Sequence, residues 1–321
     1  MKSNTVSIKN LIEKIANTDK PLVSSHLADL SQITVTDLPV LKRIWGTIDT
    51  TRRRQIISRM VELTKDNVEL NFNLVFKHGL SDPDAEVRAG AIDGLWENED
   101  PSLIRIFIDL IQNDASYDVQ ASAAAALGKF AMLAECEEIQ QSYKTNLCHT
   151  LLAIIDNTSK PVEVRRRALE SVAPLGIPAV REVIKKAYES RDERFTVSAI
   201  YAMGRTCNDA WLPILYKEMN NADAEIRYEA AGACGEIGRE ESVPHLLEHI
   251  HDTDVEVRMA VIQSLAKIGG SEAKKSLQRI ARDENKAIRE AAAQALSEVE
   301  TMEDMMLFQM NMCGEQDDKR N

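Results

Sequence analysis

The chain has 321 residues, 44% of them apolar but only 5% aromatic, with 39 Lys/Arg against 51 Asp/Glu for a net charge of −12. That length suits two ordinary domains or one elongated solenoid, and a core carried by Ala, Leu, Ile and Val suits helices packed at close range. The acidic balance weighs against general nucleic-acid binding, the five scattered cysteines without a CxxC pair argue against a disulfide framework, and no run of about 18 apolar residues or signal-peptide pattern occurs, so a cytoplasmic location is expected.

Residues 1–80 read as an N-terminal helical cap. Residues 1–65 hold 11 Lys/Arg and 6 Asp/Glu, a modest basic head on an acidic body. A short amphipathic helix falls within residues 1–20, with Ile8, Leu11, Ile12 and Ile15 at helical spacing. Asp37-Leu38-Pro39 opens a second, with Asp37 as expected N-cap and Pro39 in the first turn. Its apolar face includes Leu41, Ile44 and Ile48. A third starts near Thr51 and carries Ile56, Ile57 and Met60, and a fourth is expected over Val68–Leu80. Residues 38–80 thus resemble a degenerate repeat and a half, as befits a terminal unit with one face in water.

From Ser81 a repeat is plain. An acidic residue, a β-branched or apolar residue, an Arg slot and a small apolar face recur. Counted from the apolar residue before the Arg slot, copies begin at Val87, Val119, Val164, Phe195, Ile226, Val257 and Ile288. The spacings are 32, 45 and then four of 31 residues. A fixed period in the range of about 20–50 residues marks a repeat architecture. In the copy at Val257, the residues Val257, Val261, Ile262, Leu265 and Ile268 form one stripe, Gly269 and Gly270 end the helix, and Ser271 is expected to cap the next. That outer helix opens near Pro101, Pro178, Pro213 or Pro244 in other copies, where the missing N–H does no harm. Each copy is therefore an inner and an outer helix. Residues 81–300 form the solenoid, with an insertion of about 14 residues over the repeat norm near 132–145. The insertion either lengthens a helix pair or forms an edge loop. Cys207 and Cys234 stand where other copies have Ala, Gly or Leu and are expected in the core. Residues 301–321 are a Met-rich tail, with Gly314–Asn321 expected to be disordered; the tail either covers the last repeat or docks a partner.

The segments EVRAGAIDGLW, DVQASAAAALGKF, EVRRRALESVAPLG, EIRYEAAGACGEIG, EVRMAVIQSLAKIG and AIREAAAQALSEV share a VRxxAxxALGxxG-type outline. This outline resembles the HEAT-repeat family in its short, phycobilin-lyase-like bacterial form. The resemblance covers residues 82–300 and, more loosely, 38–80. It implies an all-α fold, an α-solenoid built as a right-handed superhelix of HEAT-like helix pairs. It also implies a binding surface. Asp84, Asp223 and Asp254 are placed to cap inner helices. Arg88, Arg165, Arg227, Arg258 and Arg289 form a ladder able to pair with acidic groups of adjacent units, a stacking role.

Three enzymatic relatives of the fold leave different marks. A deoxyhypusine hydroxylase would hold iron with His-Glu dipeptides, and no histidine here precedes Glu. His245 and His249 lie at i, i+4, a spacing able to chelate a metal, but the sequence fixes no third ligand. Alkylpurine glycosylases need a basic concave face, and Arg52–Arg54 and Arg165–Arg167 are the basic clusters available. A bilin lyase would line its groove with aromatics. Positions +2, +3, +6 and +10 of each inner helix are expected on the concave face. Most hold small or mixed residues, such as Asp93, Ser122 and Gln263. The middle copies instead present Arg166, Arg167, Tyr201, Arg205, Tyr228 and Glu229. Tyr and Arg are enriched at binding hot spots. These six are the expected partner-binding residues, facing an acidic or extended protein segment; the alternative reading of the Arg side chains is an internal Arg–Glu network. The expected function is a non-enzymatic protein–protein interaction scaffold, with no catalytic residue, metal or cofactor. A bilin-lyase-like or oxidoreductase-associated enzyme on the same scaffold is the alternative.

Overall fold

The computed structural model describes residues 3–190 and 192–317, with side chains for 8–190 and 192–301. Among these residues the chain is all helix, without a strand. It divides into two compact units, residues 1–171 and 172–321.

The first unit opens with α1 (Ser3–Ala16), α2 (Ser24–Ala28) and α3 (Leu38–Trp45). Three helix pairs follow: α4 (Thr50–Asp66) with α5 (Asn73–Gly79), α6 (Ala85–Gly94) with α7 (Ser102–Asn113), and α8 (Tyr117–Glu135) with α9 (Gln141–Asp156). The unit ends in α10 (Val162–Val172). The inner helices α4, α6 and α8 pack side by side, with α5 lying on α6 and with α7 and α9 lying on α8. Core positions match the apolar stripe: Val87, Ala91 and Ile92 on α6, and Val119, Ala123 and Leu127 on α8, are buried.

The second unit repeats this plan. It begins with α11 (Pro178–Tyr188) on α12 (Glu193–Arg205), then α13 (Leu212–Glu218), α14 (Ala224–Ile237), α15 (Val243–Leu247), α16 (Val255–Ile268), α17 (Gly270–Ile280) and α18 (Lys286–Asp317). Here α12, α14, α16 and α18 form the inner row. Gly204 and Gly235 let that row close up. A Cβ on Gly204 would lie 2.7 Å from the Ala233 Cα, and one on Gly235 would lie 2.7 Å from the Ser264 Cα. Buried Ser264 then donates to the Ala231 carbonyl at 2.8 Å, tying α16 to α14.

The punctuation follows the sequence with a few corrections. Asp84, Asp223 and Asp254 each accept backbone N–H groups in the first turn of an inner helix. Pro39, Pro178, Pro213 and Pro244 stand in first turns. Asp37, however, turns back to accept the Thr34 N–H and hydroxyl, both at 2.8 Å, rather than cap α3. Ser271 lies inside α17, whose N-cap is Gly269. The helix expected from Val68 starts only at Asn73. Asn67 and Asn71 accept the N–H groups of Glu69 and Asn73, at 2.9 and 3.0 Å, and these local side-chain turns compete with the helix; Val68 is left 81% exposed. The extra residues of the copy at Val119 go into length. α8 has 19 residues and α9 has 16, where α16 and α17 have 14 and 11. The backbone of α18 stays helical through the Met-rich segment to Asp317. The packing of the methionine side chains from Met302 onward, and the segment expected to be disordered beyond residue 317, lie outside the described residues.

The Arg slot stacks one repeat on the next. Arg88 makes a two-pronged pair with Asp114, at 2.8 and 2.7 Å, and Arg227 does the same with Asp252. Each acceptor precedes the following inner helix. Arg165, Arg258 and Arg289 donate to backbone carbonyls, at 2.6–2.8 Å; Arg88 and Arg227 also donate to such carbonyls. The degenerate repeat expected in the cap keeps the same cap-and-Arg register. Asp49 caps α4, and Arg53 four residues later pairs with Asp82 at 2.9 Å, in the place that Arg88 holds toward Asp114. Its preceding slot is Arg52, not an aliphatic residue. Arg52 is buried and donates to the carbonyls of Ile15, Asn17 and Lys20, which holds α1 against α4. The Arg52–Arg54 cluster is thus structural, its third member pairing with Asp84 at 2.6 Å.

Candidate functional site

Of the six expected partner-binding residues, Arg166 and Arg167 fall in the first unit and the other four in the second. Arg166 and Arg167 lie on α10 in the first unit. Glu163 and Glu170 stand one turn before and after them on the same helix. Arg166 pairs with Glu163 at 2.9 Å and Glu170 at 3.6 Å; Arg167 pairs with the same two carboxylates, each at 2.9 Å. Burial alone would raise the Glu163 carboxyl, but the two guanidiniums outweigh it and hold the carboxyl below its ordinary range. Two cations and two anions thus pair within one helix as an Arg–Glu network. It offers planar guanidiniums rather than net positive charge.

Tyr201, Arg205, Tyr228 and Glu229 belong to the second unit. The Tyr201 side chain on α12 is 41% exposed, and that of Tyr228 on the adjacent α14 is 38% exposed. Arg205 pairs with Glu236 at 3.2 Å, and Glu236 also takes Lys267 from α16. This ion chain runs across three inner helices beside the tyrosines. Glu236 is held below the ordinary carboxylate range: burial opposes ionisation, but Lys267 and Arg205 prevail.

The two histidines at i, i+4 have separate engagements. His245 stacks on Tyr216 with ring centroids 3.9 Å apart, and His249 Nδ1 lies 4.0 Å from Asp252. Among the described residues no group of three or more His, Cys, Asp or Glu side chains comes together to hold a metal. Cys234 is buried as expected, and burial pushes its thiol up to about 12. Cys207 is not in the core. It is exposed at φ 50°, at the C-terminal end of α12, in the register position that Gly238 fills after α14 at φ 72°.

One feature of the first unit escaped the residue-by-residue reading. Between α6 and α8 lies a cavity of about 300 Å³ lined by Ile92, Asp93, Trp96, Ser122, Lys129 and Phe130, among others. Trp96 is 54% exposed. The signal was present in the repeat register. Trp96 stands at the position occupied by Gly128, Gly204 and Gly235 in other copies, where a small residue lets neighbouring inner helices touch.

Residues 74–146 and 212–297 match the family model for HEAT repeats. The intervening segment continues the helix pairs, but its copies are less regular: one follows the insertion, and the copy at Phe195 has Thr196 in the Arg slot. No curated protein matches the sequence. Among solved structures, the complex of CpcE and CpcF of phycocyanin lyase from Nostoc sp. PCC7120 is similar with a TM-score of 0.53 at 14% identity, covering 89% of this chain and 97% of that one. Importin beta is similar with a TM-score of 0.47 at 14% identity, over 92% of this chain and 44% of that one. Human deoxyhypusine hydroxylase has a TM-score of 0.32 at 17% identity, over 75% and 98%. At such identities the likeness shows the fold alone. Among the described residues no helix is long and apolar enough to cross a membrane.

Proposed function

For a chain whose segments 74–146 and 212–297 are HEAT repeats, we propose a non-enzymatic scaffold that holds a protein partner on its inner-helix face. The observation that carries this reading is the pair of half-exposed tyrosines, Tyr201 and Tyr228, on the adjacent helices α12 and α14. Their helices are locked at close range by Gly204 against Ala233, so the two phenols sit on a preorganised surface. A rigid aromatic surface binds with little ordering cost, and tyrosine supplies contact area together with a directed hydroxyl. Arg205 and Glu229 add polar contacts at its margin. Arg166 and Arg167 contribute in the first unit as stacking and hydrogen-bonding surface. Because their charge is met by Glu163 and Glu170, recognition of an extended segment rests on shape and aromatic contact more than on acidity.

The test is affinity capture from native lysate with mass spectrometry. Wild type is compared with Tyr201→Ala/Tyr228→Ala and, separately, Arg166→Glu/Arg167→Glu, at unchanged helicity. The expected result is a stoichiometric partner whose recovery falls at least tenfold in the tyrosine variant, about 1.4 kcal/mol or more. A partner retained equally by both variants removes these residues from the interface. A coloured small molecule carried through purification, with no protein partner, would favour the bilin-lyase-like alternative.

A further inference from the structure

The cavity between α6 and α8 has a chemistry of its own. Its floor is apolar: Ile92, Leu95, Phe107 and Phe130 are all buried. At its mouth stands Trp96, whose side chain is 54% exposed although it occupies a slot where other copies hold glycine. Asp93 lies on α6, three residues before Trp96, and also lines the cavity. Glu97 and Glu99 follow in the adjoining loop. No hydrogen bond or ion pair engages the side chains of Asp93, Glu97 or Glu99 among the described residues. Other acids nearby are spent on stacking: Glu86 pairs with Arg54, and Asp100 with Lys77. Lys129, the cation lining the cavity, keeps its charge and feels the fields of Glu99 and Glu97, so that with Asp93 three carboxylates face one ammonium and the mouth stays net negative. Lys129 donates to the Trp96 and Asn98 carbonyls, at 2.6 and 2.7 Å, which fixes the loop that carries the tryptophan. Surrounding protein atoms raise the Asp93 carboxyl, and Lys65 offsets that only in part. Asp93 is thus an under-compensated anion that solvent still reaches.

An indole face, an apolar floor and unpaired carboxylates together fit one class of group. A long side chain ending in a cation can lay its methylenes on the floor, its charge over Trp96 and its donors on Asp93. The volume is at the low end for ligand pockets, enough for one such side chain. We infer that the α6–α8 cavity receives an arginine or lysine side chain from a basic segment of a protein partner. This rests on the scaffold reading but uses a surface separate from the tyrosine pair.

The test is calorimetric titration of the full chain, near 0.15 M salt, with a short peptide of alternating arginine and glycine. The same peptide with citrulline in place of arginine is the neutral control. Binding is expected for the arginine peptide and not for the citrulline peptide. Trp96→Ala and Asp93→Asn are each expected to weaken it about tenfold, while Trp96→Phe retains part of the affinity because a smaller π face remains. Glu240→Gln/Glu241→Gln, acidic positions in the second unit, should leave it unchanged. The inference is overturned if the wild type does not bind. It is equally overturned if Trp96→Ala and Asp93→Asn bind as wild type, or if Glu240→Gln/Glu241→Gln weakens binding as much as they do, since that describes diffuse attraction to an acidic protein. Tyr201→Ala/Tyr228→Ala should not alter this titration. A failed titration with partner capture still sensitive to the tyrosines removes the cavity proposal alone.

Discussion

At the scale of the residue, identical positions in the repeat register do different work according to what fills them. The position that follows α12 and α14 has positive φ. Gly238 adopts it freely at φ 72°, whereas Cys207 adopts it at φ 50° with a Cβ in the way. Its thiol gains one long contact, 3.9 Å to the Glu236 carbonyl. Cys207→Gly is therefore expected to stabilise the protein by about 1 kcal/mol, net of the greater freedom of glycine when unfolded. Urea unfolding reads this, and a lower midpoint would show that the sulfur contact outweighs the backbone strain. Trp96 makes the complementary case. A slot that normally serves helix approach carries a large exposed aromatic, and the departure from register marks a place where packing does not dictate the residue.

At the scale of the element, the inner helices are shaped by how near their neighbours come. α14 contains two glycines with opposite surroundings. Gly235 faces α16, and an added methyl would meet the Ser264 backbone at 2.7 Å; at Gly232 nothing lies within 4 Å. Gly235→Ala should force α14 from α16, strain the Ser264–Ala231 hydrogen bond and cost about 1–3 kcal/mol. Gly232→Ala should instead gain about 0.5–1 kcal/mol, because an open helical glycine sacrifices only backbone entropy. Thermal unfolding of the two single variants compares them directly. Equal shifts would mean that helix propensity, not inter-helix distance, governs α14. The same closeness underlies the tyrosine surface, since α12 and α14, which carry Tyr201 and Tyr228, touch at Gly204.

At the scale of the whole molecule, both units use carboxylates as ties between repeats. Arg54 holds the Asp84 carboxyl below its ordinary value, and Arg227 does the same to Asp252. Burial opposes the ionisation of Asp114, but Arg88 and a backbone N–H overcome it, and Lys77 brings Asp100 down to about 2. A folded-state pKa below the unfolded value of about 3.9 gives stability that is fully present above that value and lost as pH falls through the folded one. Burial and Lys42 hold the His78 imidazole below its ordinary value, so stability should ease slightly as pH falls below about 6.5, then decline further between about pH 4 and about pH 2 as the carboxylates are protonated. Asp93, whose carboxyl is raised, has the opposite sign and is a single group against several. Urea midpoints at pH 7, 4 and 2.5 test this. A midpoint that rises on acidification would show that relief of the net charge of −12 dominates over the loss of these ties.

The sequence by itself determined the helix pair, its period and most of its caps. These are written locally: burial selects apolar residues at helical spacing, and Asp, Pro and Gly act within a turn of where they stand. It also suggested a stacking role for the Arg slot, which Arg88 and Arg227 fill by pairing with Asp114 and Asp252. Only the tertiary structure decided which acids Arg88 and Arg227 reach, that Arg52 is the hidden numbering residue of a copy in the cap, and that Cys207 lies outside the core. It alone decided that Arg166 and Arg167 spend their charge on Glu163 and Glu170, although the spacing on α10 allowed that pairing. It also brought Trp96 and Lys129, 33 residues apart, to one cavity. Such pairings depend on the distance and rotation between helices. Those are set by the volumes of packed side chains from separate stretches of chain, which local periodicity does not encode.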